Sequence, residues 1–140
     1  MALICDTGPL YAAMDHNDAD HRRCALLLSE SPERLVVPLP VLVELEWLAS
    51  RRLGSGPFDR FLADVEGGAL VVMDLRPIDY ARTRILMRQY ADFPLCFVDA
   101  AVLALVERFD EPKVATLDHR HFATVRPTHV SSLTLVPDLE

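Results

Sequence analysis

Residues 1–12, MALICDTGPLYA, and 113–118, KVATLD, share one pattern: a short apolar run that stops at an aspartate. Ala2–Cys5 is apolar throughout, as suits a strand buried on both faces and not a strand with one wet face. Lys113–Leu117 reads the same way. Each acid, Asp6 and Asp118, then stands just past the carboxyl end of its strand. In open α/β sheets that is where ligands bind.

Working outward, helical material follows Asp6 as far as Glu30 and is broken near Asn17, with Asn17 and Asp18 as candidate caps for the second helix. Leu35–Val37 reads as a strand. Pro40 opens a helix to about Leu53, and Gly54-Ser55-Gly56-Pro57 stops it before a shorter helix to about Glu66. Ala69–Met73 is a third strand, and Pro77 starts a helix to about Tyr90. After a turn at Phe93–Cys96, a helix spans Val98–Phe109, and Leu133–Val136 is the last strand. Short apolar strands separated by helices predict a three-layer α/β/α sandwich with a mostly parallel central sheet, in a single domain over 1–140.

The chain of 140 residues is 51% hydrophobic and 25% charged, enough to bury a core and unlike a disordered segment. The longest strongly apolar run without a charge, Leu35–Val43, has two prolines and falls far short of the roughly 20 residues that span a bilayer. Asp6 interrupts the N-terminal apolar stretch and no basic leader precedes it, so a signal peptide is not expected and the protein is read as cytoplasmic. Cys5, Cys24 and Cys96 form no CxxC pair and each sits among apolar residues, which predicts reduced, buried thiols. The net charge of −7 excludes blanket electrostatic adhesion to nucleic acid but leaves room for local Arg patches. Lys113 is the sole lysine, and Arg is the side chain that grips phosphate bidentately.

Asp99 is the strongest anomaly, the one charged residue between Phe93 and Val106. An unpaired carboxylate in such a segment costs several kcal/mol or takes up a proton. A single acid there reads most simply as a helix-start residue favoured by the dipole. That account weakens because Asp6, Asp118 and Glu44 recur in the same kind of setting. Glu44 and Glu46 both fall near the edges of the apolar stripe of their helix, so periodicity does not choose between them. Four carboxylates in one crevice repel, and a hard divalent cation relieves that repulsion. Oxygen donors without clustered His or Cys favour Mg²⁺ or Mn²⁺ over zinc, and such an ion suits phosphodiester hydrolysis.

The segments ICDTGPLYA (4–12), VPLPVLVELEWL (37–48), FVDAAVLALVERF (97–109) and VATLDHRHF (114–122), in that order, resemble the acidic motifs of PIN-domain ribonucleases, especially VapC toxins of bacterial toxin–antitoxin pairs. The resemblance spans nearly the whole chain. It implies a metal-dependent endoribonuclease with Asp6, Glu44, Asp99 and Asp118 as the metal-binding and catalytic quartet, and Thr7 or Thr116 assisting through a hydroxyl. It selects Glu44 over Glu46. It further implies an RNA substrate, a homodimer and a small cognate antitoxin that inserts a peptide, often with an Arg, into the acidic groove.

Other readings compete. Asp6-Thr7-Gly8 is also the tripeptide of aspartic proteases, but those are all-β with glycine-rich flaps, and this chain has helical periodicity and five Gly. A phosphoacceptor receiver would use Asp74 with Lys113, yet Lys113 begins its strand where that chemistry wants a lysine at the end. A PIN-like module that binds RNA or protein without hydrolysis keeps the same acids and is the remaining alternative. His119 and His121 flank Arg120 in an H-x-H spacing that could bind metal on an extended backbone, but it reads more simply as the polar rim of a short helical turn, from which either His could shuttle protons or touch phosphate. His16, His21 and His129 read as solvated, and Asp92 as a turn acid. Arg82, Arg84 and Arg88 read as a solvated helix face, although Arg84, Arg88 and Arg120 are also candidates for gripping RNA. Trp47 among Leu and Ala reads as core or interface.

Overall fold

The computed structural model describes residues 1–140. Five strands, β1 (Ala2–Cys5), β2 (Arg34–Pro38), β3 (Val71–Met73), β4 (Lys113–Ala115) and β5 (Thr134–Val136), form one sheet in the order β3-β2-β1-β4-β5. Every pairing is parallel, with Ile4 opposite both Val36 and Val114. Seven helices fill the connections: α1 (Thr7–Met14), α2 (His21–Glu30), α3 (Leu39–Leu53), α4 (Gly56–Glu66), α5 (Pro77–Gln89), α6 (Phe97–Arg108) and α7 (His119–Thr124). The expected α/β/α sandwich is thus present, and its sheet is wholly parallel.

Chain order explains the layers. The first two crossovers step outward from β1 to β2 to β3, and the third returns across the sheet to place β4 on the other side of β1. Because parallel crossovers are right-handed, outward and returning connections cover opposite faces. Leu3, Ile4, Cys5, Val37, Val114 and Ala115 are therefore shut off from solvent on both sides, which is why their strands carry no alternation. In α6 the seven residues Ala100–Val106 are all buried, so this helix is apolar all round. Asp99 sits one residue before that stretch.

Several local expectations are corrected. The cap of α2 is Asp20, while Asp18 and Asp15 use their carboxylates on the N–H groups of Asp20 and Asn17, forming turns between α1 and α2. Ala69, Leu70, Thr116, Leu117 and Leu133 lie outside the strands, which are shorter than the apolar runs containing them. Cys96 is exposed, unlike buried Cys5 and Cys24, because it sits at the solvent-facing start of α6. His21 Nδ1 is 2.8 Å from the Ala12 carbonyl and His129 Nε2 is 2.6 Å from that of Glu111, so these two imidazoles are bonded and not free in solvent. No helix is long and apolar enough to cross a membrane.

Candidate active site

β1 and β4 are neighbours although one opens the chain and the other comes late, which makes their carboxyl ends the topological switch point of the sheet. Both predicted strand-end acids arrive there. The Asp6 N–H donates to the Ala115 carbonyl at 2.8 Å, extending the ladder by one step. The buried Thr116 hydroxyl donates to Asp6 Oδ2 at 2.9 Å and accepts from the Asp118 N–H at 3.0 Å. One threonine thereby fixes the spacing of acids from two strands. Gly8 lets α1 approach the segment that follows β4, since a Cβ there would meet the Leu117 side chain at 3.2 Å.

The other two acids come from helix starts. Asp99 lies in the first turn of α6, where the Cys96 thiol donates to its Oδ2 at 3.2 Å. Glu44 is half-buried on α3, whereas Glu46 is exposed, and the Glu44 charge is felt at Asp6. Helix rotation separates the two glutamates, and only Glu44 turns toward the acids. Asp118 caps α7, its Oδ1 accepting from the His121 N–H at 3.1 Å while its Oδ2 contacts His121 Nδ1. Asp99, Asp118 and His121 each offer a ligand atom within 4.8 Å of the others.

Electrostatics register the crowding. Burial pushes the Asp6 carboxyl up to about 7, and the charges of Asp99 and Glu44 push the same way against the Thr7 N–H and the Thr116 hydroxyl. Asp99 is also raised, first by burial and then by Asp118, with Cys96 and His121 opposing. No Lys or Arg pairs with any of these four acids. Thr7 Oγ1, directly after Asp6, is buried without a partner. A concentration of carboxylates lacking an Arg or Lys partner, with an orphaned hydroxyl beside it, fits a hard divalent cation; Asp99 and Asp118 lie within 4.8 Å of a common His121 atom, while Asp6 and Glu44 stand outside that tight group.

Arg84, Arg88 and Arg120 are all exposed and free of ion pairs, whereas Arg82 is bonded through Nε to Glu107 and does not belong to a solvated face. The pairs Asp79–Arg108 and Arg82–Glu107 run α5 antiparallel to α6. At about 1.5 Å rise per residue, that register carries Arg88 to the level of Ala100, beside the acids, and leaves Arg84 a turn lower. Asp92 lies exposed in the turn after α5. Asp74 is exposed beyond β3 and Lys113 is paired with Glu33 at the opposite end of β4, so the receiver arrangement is absent. The H-x-H spacing points to metal only on an extended backbone, and the segment is helical; the D-x-x-H spacing across that helix start instead puts Asp118 and His121 on one face and leaves His119 out of the cluster.

A family model described as the PIN domain matches residues 3–126. The chain belongs to the PIN domain family. This PIN domain is 29% identical over 135 residues to Ribonuclease VapC26 of Mycobacterium tuberculosis, spanning 96% of this chain and 100% of that protein. Among solved structures it is similar to VapC20 of Mycobacterium tuberculosis, described as a sarcin-ricin loop cleaving toxin, with a TM-score of 0.77, 19% identity and coverage of 92% of this chain and 98% of that one. It is also similar to a chain of VapBC2 from Rickettsia felis, bound to a DNA fragment from their promoter, with a TM-score of 0.67, 14% identity and coverage of 96% and 97%. The PIN fold thus accounts for the parallel sheet.

Proposed function

We propose that this PIN domain is a divalent-metal-dependent endoribonuclease, the toxin of a type II toxin–antitoxin pair, whose Asp6, Glu44, Asp99 and Asp118 hold Mg²⁺ or Mn²⁺. The observation that carries the reading is the meeting of four carboxylates from four separate elements at one switch point without an Arg or Lys among them. The named activity of VapC26 supports RNA as the substrate, and the VapBC2 assembly supports an antitoxin partner. An antitoxin Arg would supply to the acidic groove the counter-charge that the fold withholds.

When bound, a divalent ion supplies Lewis acidity that activates water and offsets the charge on phosphate. The chain supplies rigid placement. Thr116 locks Asp6 and Asp118 at fixed separation, while Glu44 enters from the second turn of α3 and Asp99 from the first turn of α6. Exposed Arg88 and Arg120, with Arg84 behind, offer donors to flanking phosphates. In-line attack by water on phosphorus expels the 3′-oxygen and leaves a 5′-phosphate and a 3′-hydroxyl.

The homodimer finds a surface beside the site. Leu39, Val43, Trp47, Tyr80 and Phe97 are all exposed and line one groove with Glu44. An apolar face of this kind is an association surface in a water-soluble protein, and a second copy would cover it while framing the acids. Trp47→Glu should convert the dimer to monomer in light scattering; an unchanged mass would remove this face from the interface.

The decisive assay is cleavage of RNA by purified protein with Mg²⁺, Mn²⁺ or EDTA, with fragment ends read by mass spectrometry. Metal-dependent cutting with 5′-phosphate ends is expected. RNA binding without cleavage under all conditions would favour the non-catalytic module, and 2′,3′-cyclic phosphate ends that persist in EDTA would refute the carboxylate mechanism.

A further inference from the structure

We infer that His121 supplies a nitrogen ligand on the Asp99–Asp118 side of the site, making that side a mixed imidazole–carboxylate position that selects Mn²⁺ over Mg²⁺. The inference rests on the metal reading above and adds to it a ligand type and a selectivity.

Asp118 spends Oδ1 on the His121 N–H, so only Oδ2 faces the cluster. A carboxylate limited to one oxygen leaves a coordination position open. His121 stands three residues on, across the first turn of α7, with Nδ1 against that Oδ2 and a ligand atom within 4.8 Å of Asp99 as well. Its ring is half-buried and packs against Phe93 with centroids 4.8 Å apart, which fixes its orientation before any ligand arrives. Val125 N–H returns to the His121 carbonyl, so the backbone is held independently of the imidazole. His119, two residues away on the same helix, faces elsewhere and takes no part in the cluster.

Mg²⁺ takes oxygen ligands almost exclusively, whereas first-row transition ions accept imidazole. One nitrogen among the oxygens therefore tilts the site toward Mn²⁺. If the imidazole only donated a hydrogen bond to Asp118, it would orient the acid without touching the ion and would leave this selectivity unchanged.

The test measures Mn²⁺ bound to the full chain by electron paramagnetic resonance, with Mg²⁺ as competitor, in wild type, His121→Gln and Asp99→Asn. Circular dichroism verifies folding. The expected result is nitrogen hyperfine coupling to Mn²⁺ in wild type that vanishes in His121→Gln, with the Mn²⁺-to-Mg²⁺ affinity ratio falling about tenfold. Mn²⁺ bound by wild type without nitrogen coupling, and with an unchanged ratio in His121→Gln, would overturn the inference and leave the carboxylate site standing. No Mn²⁺ binding by wild type, matching Asp99→Asn, would overturn both.

Discussion

The α5–α6 pair has buried acids at both ends, and the two ends treat them in opposite ways. Where α5 begins, Asp79 is 2% exposed, accepts from the Arg108 Nε at 2.8 and 3.1 Å and closes the helix start through the Arg76 N–H at 2.8 Å. Beside it, the Arg82 Nε donates to both oxygens of Glu107 at 3.1 Å. Where α6 begins, Asp99 has a weakly donating thiol and an imidazole nearby, and Asp6 has a hydroxyl. Both of these acids are raised in pKa. Arginine is plentiful in the chain, so the lack of an Arg ion pair with the acids at one end is a feature of that end. The acids at the α5 start are neutralised internally, and those at the α6 start are left without a cationic side chain, as the proposed metal site requires.

Substitution at the two ends should separate activity from stability. Asp99→Asn keeps the shape and removes a charge, so cleavage should fall by roughly 10²-fold or more while thermal unfolding in EDTA is unchanged or improved. Full activity in this variant would put Asp99 among the structural acids and dissolve the contrast. Asp79→Ala strands Arg108 half-buried without its partner and removes the α5 cap, which should cost about 3–5 kcal/mol in denaturant titrations. Cleavage per folded molecule should be preserved.

The pH dependence sharpens the comparison further. With a folded value of about 7 against an ordinary 3.8, Asp6 keeps its proton in the folded chain after losing it in the unfolded one. Its effect is nil below about pH 4, destabilises progressively as pH rises toward 7 and is complete above that, with an upper bound of about 4 kcal/mol. In EDTA, Asp6→Asn should therefore gain stability over wild type across that window, and the gap should be flat above it. A constant gap from pH 4 to 8 would show that Asp6 is not held up in the fold. The smallest effect concerns the rim: Arg88→Ala should lower the slope of log RNA affinity against log salt by about 1, and Arg84→Ala by less. Equal changes for both would contradict the register that puts Arg88 nearer the acids.

The buried strands and their order of helices were legible because a sheet covered on both faces forces continuous apolar runs, and Asp6 and Asp118 were visible as the residues that end them. Asp99 stood out for the same reason, as a charge in a helix buried all round. The ion pairs of Asp79 and Arg82 were not legible, since their partners lie 29 and 25 residues away on another helix and nothing in either segment marks the match. Cys96 looked buried because its neighbours are apolar, but a helix start at the sheet rim turns its first residues outward.

What the sequence by itself determined is the set of elements and the places where acids end or begin buried segments, because burial and periodicity act on near neighbours in the chain. The half-burial of Glu44 against the exposure of Glu46, the bridging of Asp6 and Asp118 by Thr116, the approach of His121 to Asp99 and Asp118 and the pairing of arginines with acids at one end only were decided by the tertiary structure. Each depends on the direction a side chain takes once helices are packed, and that direction is set by contacts between segments far apart in sequence.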